Sequence, residues 1–308
     1  PAPRRYWRSL EESTDEYKFD ITLPIGERSS ELKFGIQSTE TTRDFNERSF
    51  IYRDFASSGP YDGDASSFLD ADKLGFGDDG RIQRYIREFV GFVPSYMGVM
   101  EVEAAYLMAD IRPFERWRTI FGARFEDANV NVQSFQSNGQ PFANDGNLDN
   151  ADWLPAVQVV RELTENQNLR FAYSKTLARP NFRELSPFGS FDNVGGEVFI
   201  GNPELSRTRI ENFDIRYEWF MNDGDLLAVS VFQKQLEDPI ELTYSEGQLT
   251  YQNVPEAEVF GIEFEARRRL GFFSNDRHEF SVGGNLSIIE SEVDRSPQEL
   301  ADKQRRNP

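Results

Sequence analysis

Apolar residues recur at every second position along much of the chain, in segments separated by stretches rich in Gly, Asn and Asp. Tyr17, Phe19, Ile21 and Leu23 alternate with Lys18, Asp20 and Thr22. Successive side chains of a β-strand point to opposite faces, so this period of 2 predicts a strand with one apolar and one polar face. Leu32, Phe34 and Ile36 return after a short turn. Further on, Val102, Ala104, Tyr106 and Met108 alternate, then Trp117, Thr119, Phe121, Ala123 and Phe125. Trp153, Val157 and Val159 precede Leu169, Phe171 and Tyr173. The sharpest case sets Phe213, Ile215, Tyr217 and Trp219 against Asn212, Asp214, Arg216 and Glu218. Leu227, Val229 and Val231 follow, then Val259, Ile262, Phe264 and Ala266, and finally Phe280, Val282, Leu286 and Ile288. About eleven strands result by this reading.

The connections follow a rule of their own. Those at 26–30, 113–115, 165–167, 222–225 and 274–277 are tight; those at 44–96, 136–150, 178–207 and 238–258 are long. Asn222-Asp223-Gly224-Asp225 is a strong hairpin signal, because such residues accept the positive φ that tight turns require. Hairpins with tight turns at one end and long loops at the other are the plan of an outer-membrane barrel. The fold predicted is therefore all-β: an antiparallel, up-and-down transmembrane β-barrel with short periplasmic turns and long extracellular loops. One segment breaks the pattern. Ile82, Tyr85, Ile86, Phe89 and Val90 recur at helical spacing, which predicts a short amphipathic helix over 81–92, inside the first long loop.

Composition fits strands with one apolar and one polar face, and long polar loops. Apolar residues are only 38 % of the 308, yet there are 27 Phe, 11 Tyr and 4 Trp. Disordered chains are poor in aromatics, so disorder does not account for the low apolar fraction. No run reaches the ~18 apolar residues of a transmembrane helix. The net charge of −19 disfavours nucleic acid as a partner. There is no cysteine, which excludes thiolate chemistry, and the single histidine, His278, sits in a turn-like stretch.

Motifs for chemistry are weak. Gly75-Phe76-Gly77-Asp78-Asp79-Gly80 matches a dinucleotide fingerprint as a string but follows no βαβ pattern, and its two Asp would repel a pyrophosphate. Asp70 with Asp72, and Asp145 with Asp149, resemble the opening of calcium loops without the closing Glu; they are marginal metal candidates. Paired carboxylates such as Glu263/Glu265 read as a solvated strand face. No catalytic residue and no cofactor site is expected, and the chain is not read as an enzyme.

Four blocks carry a resemblance: Ser174–Leu185 (SKTLARPNFREL), Gly201–Leu205 (GNPEL) running into Arg209–Glu218, Glu103–Met108 with Gly122–Glu126, and Pro255–Glu265 (PEAEVFGIEFE). In this order the chain resembles the barrel of a TonB-dependent outer-membrane receptor. The resemblance implies about half of a 22-stranded barrel in the bacterial outer membrane, residues 1–308 forming a single partial-barrel domain with plug and C-terminal strands absent. It implies outer-membrane lipid as one partner and TonB, acting through the missing N-terminal part, as another. It also implies import of a scarce nutrient: siderophore-iron, cobalamin, an oligosaccharide or a peptide. Arg179, Asn181 and Arg183, where the Ser174 strand ends, are candidates to line a substrate vestibule. The competing reading is a soluble all-β ligand-binding module, lectin-like or a propeller.

Overall fold

The computed structural model describes residues 4–26, 29–54, 64, 70, 74–76, 80–88, 95–136, 138–190, 198–222, 224–245, 248–270 and 280–294. The chain builds one large antiparallel sheet in which neighbours in sequence are neighbours in space. Its long strands are β1 (Arg4–Ile25), β2 (Ser30–Asp54), β5 (Ser95–Ile111), β6 (Trp117–Phe135), β7 (Gly146–Thr164), β8 (Gln167–Ala178), β11 (Thr208–Trp219), β12 (Leu226–Glu237), β15 (Glu256–Arg269) and β16 (Ser281–Val293). Two short strands, β3 (Gly75–Phe76) and β4 (Ile82–Glu88), extend this sheet at the tip of β2. The sheet is not closed: β1 and β16 are its outer strands. It is a partial barrel wall.

The register places one apolar surface across all ten long strands. Residues directly opposite in an antiparallel pair share a face. Ile21 faces Phe34, which faces Leu107, which faces Ala123. Phe171, Ile215, Val231, Ile262 and Ile288 form a second such row. These side chains are exposed rather than joined in a core: Phe19 is 60 % exposed, Leu107 56 % and Ile215 50 %. A soluble sheet of this size would bury that face, whereas a barrel turns it to lipid. Among the described residues no helix is long and apolar enough to cross a membrane; the crossing is made by strands.

The strands run far beyond the lipid belt. β2 is 25 residues long, and the first long loop starts after Asp54 rather than at 44. Its upper part, STETTRDFNERSF, is polar on both faces because both faces there are wet. Pairing with β1 and β5 continues by backbone hydrogen bonds that need no hydrophobic alternation. The helix expected over 81–92 is instead strand β4, paired antiparallel with Phe50–Asp54 of β2. Ile82, Arg84, Ile86 and Glu88 share one strand face without apolar alternation, so the free edge of β2, not a period of 2, decides the outcome; Phe89 and Val90 lie outside the described residues. The alternation in β5 also needs correction. Tyr106 and Met108 lie opposite Arg124 and Gly122, on the inner face, while Ala105, Leu107 and Ala109 face lipid. Both faces of β5 are apolar there, so periodicity alone could not orient the strand.

The tight connections at 113–115 and 165–167 are those expected, as are the described parts of 26–30 and 222–225, whereas 274–277 and His278 lie outside the described residues. Asp225 N–H donates to the Asn222 carbonyl at 3.0 Å, and Gly224 holds φ at +87°, closing the β11–β12 hairpin. The opposite end carries the loops. There a second small sheet forms from β9 (Gly189–Ser190), β10 (Phe199–Ile200), β13 (Ile240–Ser245) and β14 (Gln248–Asn253).

Candidate functional site

The candidate site is the mouth of the wall at the loop end. It is built by two long loops that fold inward onto the inner face of β5, β6 and β7. Loop 179–207 opens with Asn181, which caps the single-turn helix α1 (Phe182–Leu185). The Asn181 side-chain oxygen accepts from the N–H groups of Arg183 and Glu184 at 2.9 and 3.0 Å, and Glu184 accepts from the Asn181 N–H at 2.9 Å. This reciprocal capping box lets so short a helix hold its shape.

The helix is aimed by what its apolar residues meet. Phe182 lies over Gly98 and Leu185 over Gly146; a Cβ on either glycine would come within 2.6 and 2.8 Å of those side chains. Glycine is needed here for close approach, not for an unusual φ. Phe182, Leu185, Phe188 and Leu205 join Tyr96, Val130, Val132 and Leu148 in one buried cluster. Tyr96 stacks on Phe45 at 5.3 Å between centroids. The largest apolar core among the described residues therefore sits inside the mouth, on the face that is polar lower down.

The two sequence blocks with the sharpest signature meet there. Asn202 N–H donates to the Glu184 carbonyl at 2.6 Å, its side-chain amide donates to the Tyr251 carbonyl at 3.0 Å, and its side-chain oxygen accepts from Glu204 N–H. Gly201 packs so tightly on the end of α1 that a Cβ would lie 2.1 Å from the Ser186 carbonyl oxygen. Asn253 of β14 then ties in the second loop, accepting from Ser206 N–H and donating to the carbonyls of Ser206 and Asp238.

Ion pairs fix the loop to the strands. Arg179 reaches Glu126 on β6 at 2.8 Å, and Glu126 also accepts from Arg124 at 2.7 Å. Arg207, at the other end of the loop, meets Asp152 on β7 at 2.6 Å and also bonds Asn150. Arg183 donates to the carbonyls of Ser186, Phe188 and Phe199 and lies over the rings of Phe188 and Phe199. The structure thus brings Arg179, Asn181 and Arg183 together at the mouth: Arg179 is tied to Glu126 through Nη2, Asn181 caps the helix and Arg183 binds loop carbonyls. Periodicity missed Arg207, Asp152, Glu126 and Asn253. The inward charges on strands with apolar outer faces were the available signal.

Below the mouth the inner face is a ladder of charges. Glu218 accepts from Arg170 at 2.7 Å and from Arg216 at 3.0 Å; Arg216 also reaches Glu265 at 2.7 Å. Lys234 donates to Asn212 at 2.8 Å. Such a wall suits water and polar solutes. Of the weak calcium candidates, Asn147 and Asp149 lie on the outward face of β7 and Asp145 precedes that strand, while Asp72, the partner expected for Asp70, is outside the described residues. Among the described residues no group of three or more acidic or His side chains is placed to hold a metal.

At tight turns near the mouth's far end and in the loop extension, titration follows local pairing. The Asp225 carboxyl is held below its ordinary value by the backbone N–H of Arg269, with help from Asn222. Glu88, on the extension of β2, is held low by its hydrogen bond from Arg48.

An open wall of antiparallel strands, apolar outside and charged inside, with tight turns at one end and inward-folded loops at the other, defines an outer-membrane β-barrel. The family model for the TonB-dependent receptor-like β-barrel matches residues 2–306, and the chain belongs to that family. Its place is the outer membrane of Gram-negative bacteria, and the family consists of receptors and transporters rather than enzymes. Solved structures agree in fold. The ferric yersiniabactin uptake receptor FyuA from Yersinia pestis shares 14 % identity with a TM-score of 0.59, over 94 % of this chain and 37 % of that one. The copper transporter OprC shares 16 % with a TM-score of 0.61, over 93 % and 39 %. The ferric citrate transporter FecA shares 13 % with a TM-score of 0.54, over 95 % and 36 %. The chain spans less than two fifths of the length of these structures. No curated protein matches it.

Proposed function

We propose that this chain forms part of the wall and outer mouth of a receptor that imports a scarce nutrient across the outer membrane with energy passed on by TonB. Its cargo would be a small solute: an iron chelate, a copper ion or complex, cobalamin, an oligosaccharide or a peptide. The observation that carries the reading is the pairing of two features on one face. The inner wall is lined by the Arg170–Glu218–Arg216–Glu265 ladder, and the described parts of two loops fold over its upper end. Uptake of ferric siderophores and copper by the structural neighbours supports a metal-bearing cargo first. The soluble binding-module reading is not favoured, because the apolar face is spread outward over ten strands instead of meeting another in a core.

Arg179, Asn181 and Arg183 act in this reading by shaping the vestibule: they hold loop 179–207 against β6, and the cargo meets the surface so formed. A deletion strain tests the import reading. Uptake of labelled ferric chelates, copper, cobalamin, oligosaccharides and peptides is measured with and without TonB. Loss of one cargo in both the receptor and the TonB deletions is expected. Normal uptake of every cargo in the receptor deletion, with the strain grown under each limitation in turn, refutes it.

A further inference from the structure

The second loop begins at Asp238–Pro239, the one Asp–Pro bond in the 308 residues and the joint between β12 and β13. Asp238 holds φ at +54°, in the left-handed region, immediately before the proline. A residue other than glycine stays there only where its surroundings hold it, and a following proline narrows its choices further. The Asp238 carbonyl oxygen accepts from two side chains: the Thr208 hydroxyl at 3.1 Å and the Asn253 amide at 2.7 Å. Both donors are fixed in turn. Thr208 is buried at the start of β11, and Asn253 is bonded to the N–H and the carbonyl of Ser206. Each side of the joint is also gripped by backbone. Asp238 N–H donates to the Pro255 carbonyl at 3.2 Å, and Val254 N–H donates to the Pro239 carbonyl at 2.9 Å.

An Asp–Pro bond is chemically weak for two reasons. The aspartate carboxylate can attack its own main-chain carbonyl carbon, closing a five-membered ring without any second molecule. The proline nitrogen belongs to a tertiary amide and takes up a proton more readily than an ordinary peptide nitrogen, so it leaves more easily. In an unfolded chain the oxygen that becomes negative during the attack is stabilised by water alone. At Asp238 that oxygen already faces two placed donors from different elements, which is the arrangement of an oxyanion hole. The Asp238 carboxylate itself is partly exposed. It has the Arg209 guanidinium at 3.7 Å, and that arginine also pairs with Glu237 at 2.7 Å, which lies opposite Glu256 in register.

We infer that Asp238–Pro239 is a self-cleavage site, at which the folded chain nicks its own second loop. A lone pair of the Asp238 carboxylate forms the new C–O bond, and the carbonyl electrons move onto the oxygen held by Thr208 and Asn253. As the carbonyl re-forms, the C–N bond breaks; its electron pair goes to the Pro239 nitrogen, which takes a proton from water. Water then opens the cyclic anhydride, leaving Asp238 with a free α-carboxyl and Pro239 as a new amino terminus. The backbone bonds to Pro255 and Val254 keep both new ends in place, so the nick uncouples β13 from β12 without releasing the loop. The inference is independent of the cargo. It is tested on the full-length protein in mild detergent at mildly acidic pH, beside the same protein unfolded in guanidinium at the same pH. Cleavage is followed on denaturing gels and located by mass spectrometry. The folded protein is expected to cleave after Asp238 at least about tenfold faster than the unfolded chain. Thr208→Val keeps the shape and removes one donor; it is expected to lower the folded rate by about tenfold or more and leave the unfolded rate unchanged. Asp238→Asn is expected to abolish cleavage at this bond in both states. Heat-modifiable gel mobility confirms that each variant is folded, and the comparison of folded with unfolded wild type stands without any variant. A folded rate equal to or below the unfolded one shows that the two donors only hold the loop, and overturns the proposal. So does Thr208→Val cleaving at the wild-type rate, or cleavage after residue 238 persisting in Asp238→Asn.

Discussion

Replacing Phe182 by Ala tests whether the mouth is a built structure or a loose covering. Phe182 is 4 % exposed, sits on Gly98 and has the Arg43 guanidinium 5.3 Å above its ring. Phe→Ala at a buried site costs about 3–5 kcal/mol. The barrel strands are held by continuous backbone ladders that Phe182 does not touch, so the cost falls on the local opening of loop 179–207. At about 1.4 kcal/mol per tenfold, the open population rises by roughly two to three and a half powers of ten. Hydrogen exchange reads this directly: the amides of Leu185, Ser186 and Asn202, which donate to Asn181, Arg183 and Glu184, should exchange faster by that factor. Amides in the centre of β6 should not change. Gly98→Ala provides the complement. Its Cβ collides with the Phe182 ring in the wild type but meets empty space in the Phe182→Ala background, so the two substitutions should be strongly non-additive. Unchanged exchange in the loop, or additive effects of the pair, would refute the packing argument.

Other outcomes follow from the same geometry. Arg179→Ala removes one of the two cations on Glu126 and leaves a largely buried carboxylate short of a partner; a loss of about 3 kcal/mol in loop stability is expected, read by proteolysis within 179–207, with Arg179→Lys recovering part of it. Ile215→Arg places a charge in the lipid belt and should cost about 2–4 kcal/mol in refolding into vesicles, whereas Asp214→Asn, its inward-facing neighbour, should fold normally. The β2–β4 pairing should depend on pH. Glu88 is held below its ordinary value of 4.5 by Arg48, so its contribution is full above 4.5 and is lost as pH falls through the lower folded value. Protection of the β4 amides, relative to the intrinsic exchange rate at each pH, should therefore fall on acidification below about 4.5 in the wild type and stay constant there in Glu88→Gln.

What could be read in the sequence depended on the medium at each level of the wall. Where one face met lipid and the other water, as at Phe213–Trp219, alternation fixed the strand and its two faces, and the alternation of tight and long connections assigned lipid to the apolar one. Above the belt the signal vanished, and β2 ran ten residues past the expected start of the loop at 44, since polar residues on both faces encode no contrast. Where both faces were apolar, as in β5, the strand was visible but its orientation was not. Ile82–Glu88 carried a helical spacing and no alternation, and the open edge of β2 overrode it. At the mouth, the blocks ARPNFREL and GNPEL were recognisable as strings, yet their meaning lay in a contact between Gly201 and the end of α1 that no local pattern could announce. The inward partners Glu126 and Asp152 were present in the alternation as charges without an assigned task.

The reach of β2 has a consequence for how solutes arrive. Twenty-five residues at about 3.3 Å each, tilted by about 40°, rise roughly 60 Å, against an apolar band of about 25 Å. A section of this wall therefore stands as a parapet well clear of the bilayer. A molecule entering there crosses a corridor whose length rivals the membrane itself, lined by a chain carrying a net charge of −19. Such a corridor concentrates cations and delays anions before any contact with the inner ladder is made, so discrimination between cargoes begins in the approach rather than at the site.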